Sequence, residues 1–254
     1  MSRRCTALFH ETVDIGGLAA DLYLPRGPVD AGVVFLHGGG FVGGSRGQFG
    51  PLCRRLSGGG PVACLSLDYR LAPAHPFPAP VQDAVSAFRW LGRRTGLGPG
   101  RLFLAGGSPG GCIAALAVLA GEAQLARWGV PAGARPRQAM LLNGICDLPG
   151  FYENNPCERA RVDGFLAGRP GGLREADPSA YRPAGRRLLL LHGTADTVVT
   201  PAQCRAFADG LRRAGSRVDT VWFYGKPHAW FNLPGQFAPV AAEMGEYLRQ
   251  ALKE

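Results

Sequence analysis

The stretch Leu102-Phe-Leu-Ala-Gly-Gly-Ser-Pro-Gly-Gly-Cys112 joins an apolar run to a segment rich in alanine and leucine, with Ser108 at the junction. A strand, a sharp turn, a serine and a helix in this order are typical of a nucleophile elbow, Gly-x-Ser-x-Gly. The glycines suit such a turn, because a tight connection between strand and helix leaves no room for Cβ atoms. The same short pattern also occurs in ordinary turns, so the catalytic interpretation depends on the rest of the chain.

The composition of the 254-residue chain indicates a globular protein, since 46% of its residues are hydrophobic. Its net charge of +9 comes mainly from arginines, which never occur more than two in a row and are not interleaved with aromatic residues. This pattern predicts a solvated basic surface and no nucleic-acid partner. An acidic substrate or an acidic carrier is the alternative explanation of the charge.

The cysteines and the apolar runs bear on the cellular compartment. The 7 cysteines are scattered and form no Cys-x-x-Cys pair, which favours buried thiols in a reducing compartment over a disulfide framework or a zinc site. No signal peptide is visible at the N-terminus, and no apolar run approaches the roughly 18 residues of a membrane helix. We therefore expect a cytoplasmic protein without a membrane partner.

The order of predicted elements indicates an α/β fold. A predicted hairpin is followed by strands that alternate with helices, which is the pattern of a doubly wound, mostly parallel sheet with helices on both faces. From 144 to 185 the chain lacks sustained periodicity, and so long a stretch inside a compact fold usually forms a lid or a substrate-facing insertion. We predict a single domain, 1–254, with such an insertion. The predicted strands are 6–14, 18–24, 31–36, 62–67, 101–105, 136–143, 187–191 and 218–224.

Three residues after predicted strands supply the parts of a catalytic triad. Ligands of such sheets bind at the carboxyl ends of the strands. Ser108 as nucleophile, Asp196 as orienting acid and His228 as base follow in the chain order that is typical of α/β hydrolases. Asp147 is the best substitute for the acid. The other histidines, at positions 10, 37, 75 and 192, are weaker candidates for the base.

The chain resembles the hormone-sensitive-lipase-like esterase family of α/β hydrolases over essentially its whole length. That resemblance implies the α/β-hydrolase fold and hydrolysis of short-chain carboxylic esters through an acyl-enzyme, with no metal and no cofactor. It also assigns Gly38 and Gly39 as oxyanion donors. The motifs that carry the resemblance are His37-Gly-Gly-Gly40, Asp68-Tyr-Arg-Leu-Ala-Pro73, His75-Pro-Phe-Pro78, the elbow at Ser108, Asp196 and His228.

The chain departs from the family pattern at three places. In the elbow, Gly107 replaces an acidic residue and Pro109 replaces an alanine, and Ala74 stands where the family usually has a glutamate. Larger relatives carry a helical cap before the first strand, where this sequence has only about five residues. We therefore expect a reduced N-terminal cap and a cleft that is open or is covered by 144–185 or by a neighbouring subunit.

Pro109 is the departure with a chemical consequence. In this fold the residue after the nucleophile donates its backbone N–H to the oxyanion, and proline has no N–H. Losing one such donor typically costs about 10²–10³ in turnover. Proline also disfavours the strained, positive-φ conformation that an elbow serine adopts, so either packing stabilises the strain or the elbow is relaxed.

These observations favour a slow serine hydrolase that cleaves a small ester, thioester or amide, either free or carrier-bound. A second hypothesis is non-hydrolytic chemistry in a biosynthetic pathway, such as cyclisation, elimination or acyl transfer, with His228 as the acid/base. A third is a catalytically silent binding protein. A homodimer is compatible with each. Candidate pocket walls, for which core packing is the alternative, are Phe41, Pro109, Phe151, Tyr152 and Trp230.

Overall fold

A computed structural model describes residues 8–233 and 235–253. Its centre is one eight-stranded sheet in the order β1-β2-β4-β3-β5-β6-β7-β8. The pairs β1–β2 and β2–β4 are antiparallel, and every pair from β4–β3 to β7–β8 is parallel. The predicted doubly wound, mostly parallel sheet is thereby confirmed. The strands are β1 Phe9–Asp14, β2 Ala19–Leu24, β3 Ala31–Leu36, β4 Val62–Leu67, β5 Leu102–Gly107, β6 Gln138–Leu142, β7 Arg187–Gly193 and β8 Arg217–Phe223.

Helices cover both faces of this sheet and enclose two apolar layers. One layer includes buried side chains of α1 and α9, and the other includes those of α2, α3 and α8. Every residue of α3 is buried, as its uniformly apolar sequence predicts. The helices are α1 Gly50–Gly59, α2 Ala79–Thr95, α3 Pro109–Leu119, α4 Glu122–Arg127, α5 Leu148–Asn154, α6 Arg159–Leu166, α7 Gly172–Glu175, α8 Pro201–Arg213 and α9 Phe237–Ala251.

Two element boundaries at the elbow differ from the prediction. Strand β5 continues through Gly107, and α3 begins at Pro109 rather than at Cys112. Proline suits the first turn of a helix because its missing N–H has no intrahelical partner there and its fixed φ is helical. Ser108 is therefore the single residue between the end of the strand and the start of the helix.

The 144–185 segment is mostly short helices rather than irregular chain. Helices α5, α6 and α7 have 7, 8 and 4 residues, which is too short for a periodic apolar pattern to develop. Contacts attach the segment to the main body: Phe165 stacks on Phe41 with ring centroids 4.0 Å apart, and the Glu175 carboxylate accepts the Trp128 indole N–H at 2.8 Å. Its role as a lid remains a prediction.

The described residues exclude the first seven of the chain. The predicted strand start at 6–7 and the predicted reduction of the N-terminal cap therefore lie outside them. Within 8–233 and 235–253, no helix has the length and the apolar character that a membrane crossing requires.

Candidate active site

Ser108 has the strained backbone of an elbow, with φ 52° and ψ −117°. The strain persists although proline follows, so the structure has the stabilised elbow and not the relaxed alternative. The backbone segments around the turn are packed too closely for side chains. A Cβ on Gly106 would overlap the Gly110 carbonyl oxygen, and a Cβ on Gly110 would overlap the Leu36 carbonyl oxygen. Glycine is thus required where β5 turns into α3.

Hydrogen bonds hold both sides of the Ser108 peptide unit. The Ser108 N–H donates to the Leu142 carbonyl at 3.1 Å. The Ser108 carbonyl accepts the N–H groups of Gly111 at 3.0 Å, Ile145 at 3.1 Å and Cys112 at 3.3 Å. Strain of this kind costs about 1–3 kcal/mol and persists only where the surroundings over-determine it. Here the surrounding backbone supplies that constraint.

The structure brings Ser108, His228 and Asp196 together. The Ser108 Oγ lies 3.0 Å from His228 Nε2, and His228 Nδ1 lies 2.8 Å from Asp196 Oδ2. The His228 side chain is 17% exposed, whereas that of Asp196 is fully buried. A base within reach of a hydroxyl, held by a buried carboxylate on its other nitrogen, is an arrangement that can remove the hydroxyl proton.

Neighbouring parallel strands bring these side chains together. Asp196 follows β7 and His228 follows β8, and the two strands pair in register up to Gly193 and Phe223. The loops are also bonded to each other, because the Ala195 N–H donates to the Lys226 carbonyl at 3.1 Å. Asp196 and His228 therefore lie at the carboxyl-end edge of the sheet, where Ser108 also lies.

Asp196 is ionised by its surroundings despite its burial. Burial raises the pKa of Asp196, but the hydrogen bonds from His228, Asn143 and the Val199 N–H outweigh burial and lower the pKa below its ordinary value. One carboxylate oxygen accepts the N–H groups of Val198 and Val199, each at 2.9 Å. The other accepts from His228 Nδ1 and from the Asn143 side-chain amide. All of these donors stabilise the carboxylate.

The glycine loop follows β3, and its Gly38 is not the oxyanion donor that the sequence predicts. The Gly38 N–H donates to Gln48 Oε1 at 2.6 Å, so that hydrogen is already engaged and Gly38 does not fit the predicted role of oxyanion donor. Gly39 and Gly40 have φ values of 129° and 64°. Within the described part of the chain, neither of their N–H groups has a hydrogen-bond partner.

His37 orders this loop. Its Nδ1 donates to the Gly38 carbonyl at 2.8 Å, and the Tyr69 hydroxyl donates to the His37 carbonyl at 2.8 Å. The two rings stack with centroids 4.3 Å apart. Burial lowers the pKa of His37 and so favours the neutral ring. These bonds fix the backbone of the loop from which Gly39 and Gly40 project.

Of the predicted wall residues, Trp230 lies in the core. It is fully buried and packs against Phe223 and Phe231, in the layer that includes α1 and α9. Phe41 and Phe151 are 1% and 3% exposed and also belong to the apolar core. Tyr152 is half-buried, and Pro109, although buried, directly follows the serine. Trp230 is therefore a core residue and not part of the wall of a substrate pocket.

The other candidate residues lie in structural roles. The Asp147 carboxylate accepts the Gly150 N–H at 2.9 Å at the start of α5. His10 stacks on Tyr23, and His75 is exposed. His192 is buried and its Nε2 donates to the Val199 carbonyl at 2.8 Å. None of these bonds is to Ser108 or His228.

Three residues near the site are absent from the predictions. They are Gln48, which binds Gly38; Asn143, which binds Asp196; and Arg161, whose aliphatic stem lies against Gly40. The position of Asn143 after a buried strand was a usable signal, because polar residues at strand ends face this edge of the sheet. Arg161 lies within the predicted insertion and Gln48 in a short 3₁₀ helix, Arg46–Phe49. Neither has a sequence signal that points to the glycine loop.

Comparison with known proteins places the chain in a family. A family model described as alpha/beta hydrolase fold matches residues 33–171. The carboxylesterase NlhH of Mycobacterium tuberculosis is 34% identical over 230 residues, which cover 83% of this chain and 69% of that protein. An acetyl-hydrolase of Streptomyces hygroscopicus is 37% identical over 232 residues, covering 87% of this chain and 75% of that protein.

A solved structure agrees with these relatives. An esterase from the bacterial hormone-sensitive lipase family superposes with a TM-score of 0.79 at 28% identity, covering 96% of this chain and 85% of that one. The chain therefore belongs to the hormone-sensitive-lipase-like esterase family of α/β hydrolases. Within that family it is a carboxylesterase-like serine hydrolase.

Proposed function

We propose that the protein cleaves a small ester, thioester or amide through an acyl-enzyme on Ser108. The observation that carries this proposal is the continuous hydrogen-bond chain from Ser108 Oγ through His228 to Asp196, at 3.0 and 2.8 Å. His228 removes the hydroxyl proton as Ser108 attacks the carbonyl carbon, and then gives that proton to the leaving group. A water molecule, activated by the same imidazole, releases the acid and restores Ser108.

Gly39 and Gly40 are the oxyanion donors in this proposal, in place of Gly38. Among the described residues their N–H groups have no hydrogen-bond partner, and the glycine loop follows β3, which pairs with the β5 strand that leads to Ser108. Preorganised N–H donors stabilise the negative charge that develops on the substrate carbonyl oxygen. Pro109 withholds a further donor, so we expect turnover below that of a site with an N–H at this position by about 10²–10³.

The strained elbow supports a nucleophilic serine over a silent binding site. A binding protein gains nothing from a residue that costs about 1–3 kcal/mol of strain, yet Ser108 keeps φ 52° against the preference imposed by Pro109. A second candidate function is non-hydrolytic chemistry in the same pocket, because the missing N–H at Pro109 lowers the stability of a tetrahedral oxyanion. In that case His228 acts as acid/base without an acyl-enzyme.

The test uses a fluorophosphonate label and p-nitrophenyl esters of short acids. The wild-type protein is expected to label at Ser108 and to hydrolyse the esters, and Ser108→Ala to do neither. Ser86→Ala, at an exposed serine on α2, is the matched control and should behave as wild type. Absence of both labelling and turnover in the wild-type protein would contradict the proposal. Retention of the natural activity in Ser108→Ala with its loss in His228→Ala would establish the non-hydrolytic alternative.

The partners and the compartment belong to the same proposal. The net charge of +9 is consistent with an acidic or carrier-bound substrate, because opposite charge accelerates encounter. Such steering predicts that kcat/KM for an acidic ester falls as salt is raised, while that for a neutral ester does not. We also propose a cytoplasmic location, which the five buried free cysteines of the described residues support and which cell fractionation tests. A homodimer is tested by light scattering after gel filtration.

A further inference from the structure

Asn143 lies directly after β6, between the strand that leads to Ser108 and the strand that leads to Asp196. It is fully buried, and its backbone has a φ of 46°. Its N–H donates to the Leu191 carbonyl at 2.9 Å, so the backbone position is fixed by β7. The side chain then points at the Asp196 carboxylate, to which its amide nitrogen donates.

The chemistry of the two groups fixes the orientation of this amide. A carboxylate only accepts hydrogen bonds, so the NH₂ of Asn143 and not its carbonyl must face Asp196. The consequence is that Asn143 Oδ1 lies buried without a hydrogen-bond partner in the described residues. A left-handed backbone and an unsatisfied buried carbonyl are both unfavourable, and such local costs concentrate at functional positions.

Asn143 completes the set of donors around Asp196. Two backbone N–H groups hold Oδ1 of the carboxylate, and His228 and Asn143 hold Oδ2. His192 Nε2 lies 3.6 Å from Oδ2, but it donates to the Val199 carbonyl at 2.8 Å and so supplies no hydrogen bond to the carboxylate. Without the Asn143 donor, Oδ2 keeps only its hydrogen bond with His228 among the described residues, and the position of this oxygen is less tightly fixed.

We infer that Asn143 is a positioning residue of the reaction, which holds the Asp196 carboxylate against His228. This inference rests on the proposed function, since it assigns Asn143 a role through the same triad. Hydrogen bonds to charged groups contribute more than neutral ones. Loss of this one should lower kcat by about 10- to 100-fold and leave KM within about twofold, because only the transition state carries the imidazolium that Asp196 stabilises.

Two substitutions of Asn143 distinguish the effect of its hydrogen-bond donor from the effect of its side-chain volume. Asn143→Gly removes the side chain and tolerates the positive φ, so it should fold. Asn143→Asp keeps the size of the side chain but replaces the donor by an acceptor, and it should lower kcat at least as much. The matched control is Gln138→Leu, which removes another buried amide, at the opposite end of β6, where it donates to the Gly100 carbonyl at 2.7 Å. That variant should lose stability and keep wild-type kcat.

Two measurements decide the matter. The first is a double-mutant cycle that combines Asn143→Gly with Asp196→Ala and compares p-nitrophenyl ester turnover. The second is the downfield proton NMR signal of the His228 Nδ1–H. If Asn143 acts through Asp196, Asn143→Gly shifts or broadens that signal in the otherwise wild-type enzyme and causes no further loss of kcat in the Asp196→Ala enzyme. An equal loss in both backgrounds, or kcat within about threefold of wild type in both Asn143 variants, would overturn the inference.

Failure of the inference is distinguishable from failure of the proposed function. If Asp196→Ala loses turnover while both Asn143 variants keep it, the result supports the proposed triad and contradicts the positioning role of Asn143. If Asp196→Ala itself retains wild-type turnover, the proposed triad is wrong and the role of Asn143 falls with it. Thermal unfolding of every variant shows whether a loss of turnover reflects a loss of fold.

Discussion

Gln48 Oε1 accepts the Gly38 N–H at 2.6 Å and so engages the first amide of the glycine loop. This bond fixes the direction of the peptide from which Gly39 and Gly40 follow. Gln48→Leu removes the acceptor with little change in volume, and we expect it to lower kcat/KM by about tenfold as the loop loses order. Gln48→Glu keeps an acceptor and should retain most of the activity. Equal p-nitrophenyl ester turnover in Gln48→Leu and wild type would contradict this.

The glycines of the loop should differ in their tolerance of a methyl group. At Gly38 an added Cβ meets its nearest atom at 3.4 Å, which is an ordinary contact. At Gly39 it would overlap the Gly43 carbonyl oxygen, and the φ of 129° is strained for alanine. We therefore expect Gly38→Ala to retain activity within about fivefold and Gly39→Ala to lose about 100-fold or more. Steady-state kinetics of both purified variants checks this, with the reverse order as the contradicting result.

Restoring the missing N–H should accelerate the enzyme. Pro109→Ala supplies a backbone donor next to Ser108 and leaves the helix start intact, since alanine is a good helix former. We expect ester turnover to rise by at least about tenfold, within the range associated with one oxyanion donor. Pro201→Ala, at the corresponding first position of α8, is the control for a change in helix rigidity. Unchanged or lower turnover in a folded Pro109→Ala protein would show that residue 109 is not an oxyanion position.

The stability of the protein should decrease in acid because of Asp196. Its folded-state pKa is lowered, so the folded state binds fewer protons than the unfolded state between the two pKa values. The stabilisation is complete above the ordinary aspartate pKa of about 3.9 and is lost as the pH falls through the lower, folded-state value. Urea unfolding at a series of pH values should show a shallower acid loss in Asp196→Asn than in wild type. Identical slopes would contradict this.

Asp177 should affect the pH dependence of stability in the direction opposite to that of Asp196. Burial raises the pKa of Asp177 above its ordinary value, although Ser179 and the Leu148 N–H oppose the shift. The folded state then binds more protons, so its contribution to stability is present at low pH and is lost as the pH rises from the ordinary value through the raised one. Asp177→Asn keeps an oxygen acceptor for the Leu148 and Ser179 N–H groups and should remove this loss of stability with rising pH. Urea midpoints measured at increasing pH, starting from the ordinary aspartate pKa of about 3.9, test the sign of this effect.

The parts of the fold that the sequence predicts well are those with one dominant signal. Strands β3 and β4 match their predicted limits because strands buried on both faces are continuous apolar runs bounded by loops. The grouping of Ser108, Asp196 and His228 follows from topology, since each residue comes after a parallel strand and the strands end at one edge. The family assignment, the fold and the class of enzyme are likewise confirmed by the comparisons.

The parts that the sequence does not predict depend on side chains from elsewhere in the chain. The Gly38 N–H is not free because it donates to Gln48, ten residues away in the sequence. Trp230 stands close to His228 in sequence, but the turn between them directs it into the core under the sheet. The short helices of 144–185 form because tertiary contacts such as Phe165 on Phe41 stabilise them, and no local periodicity announces such contacts.

The Ser108 carbonyl accepts N–H groups from two separate parts of the chain, from Gly111 and Cys112 in α3 and from Ile145 at the entrance to the 144–185 segment. The peptide of Ser108 is therefore supported both by α3 and by the 144–185 segment. Chimeras that exchange this segment between family members should place their first junction after Ile145, because a junction before it would also replace a hydrogen bond that supports the elbow. A segment exchanged at that junction leaves the strained conformation of Ser108 with all of its hydrogen bonds.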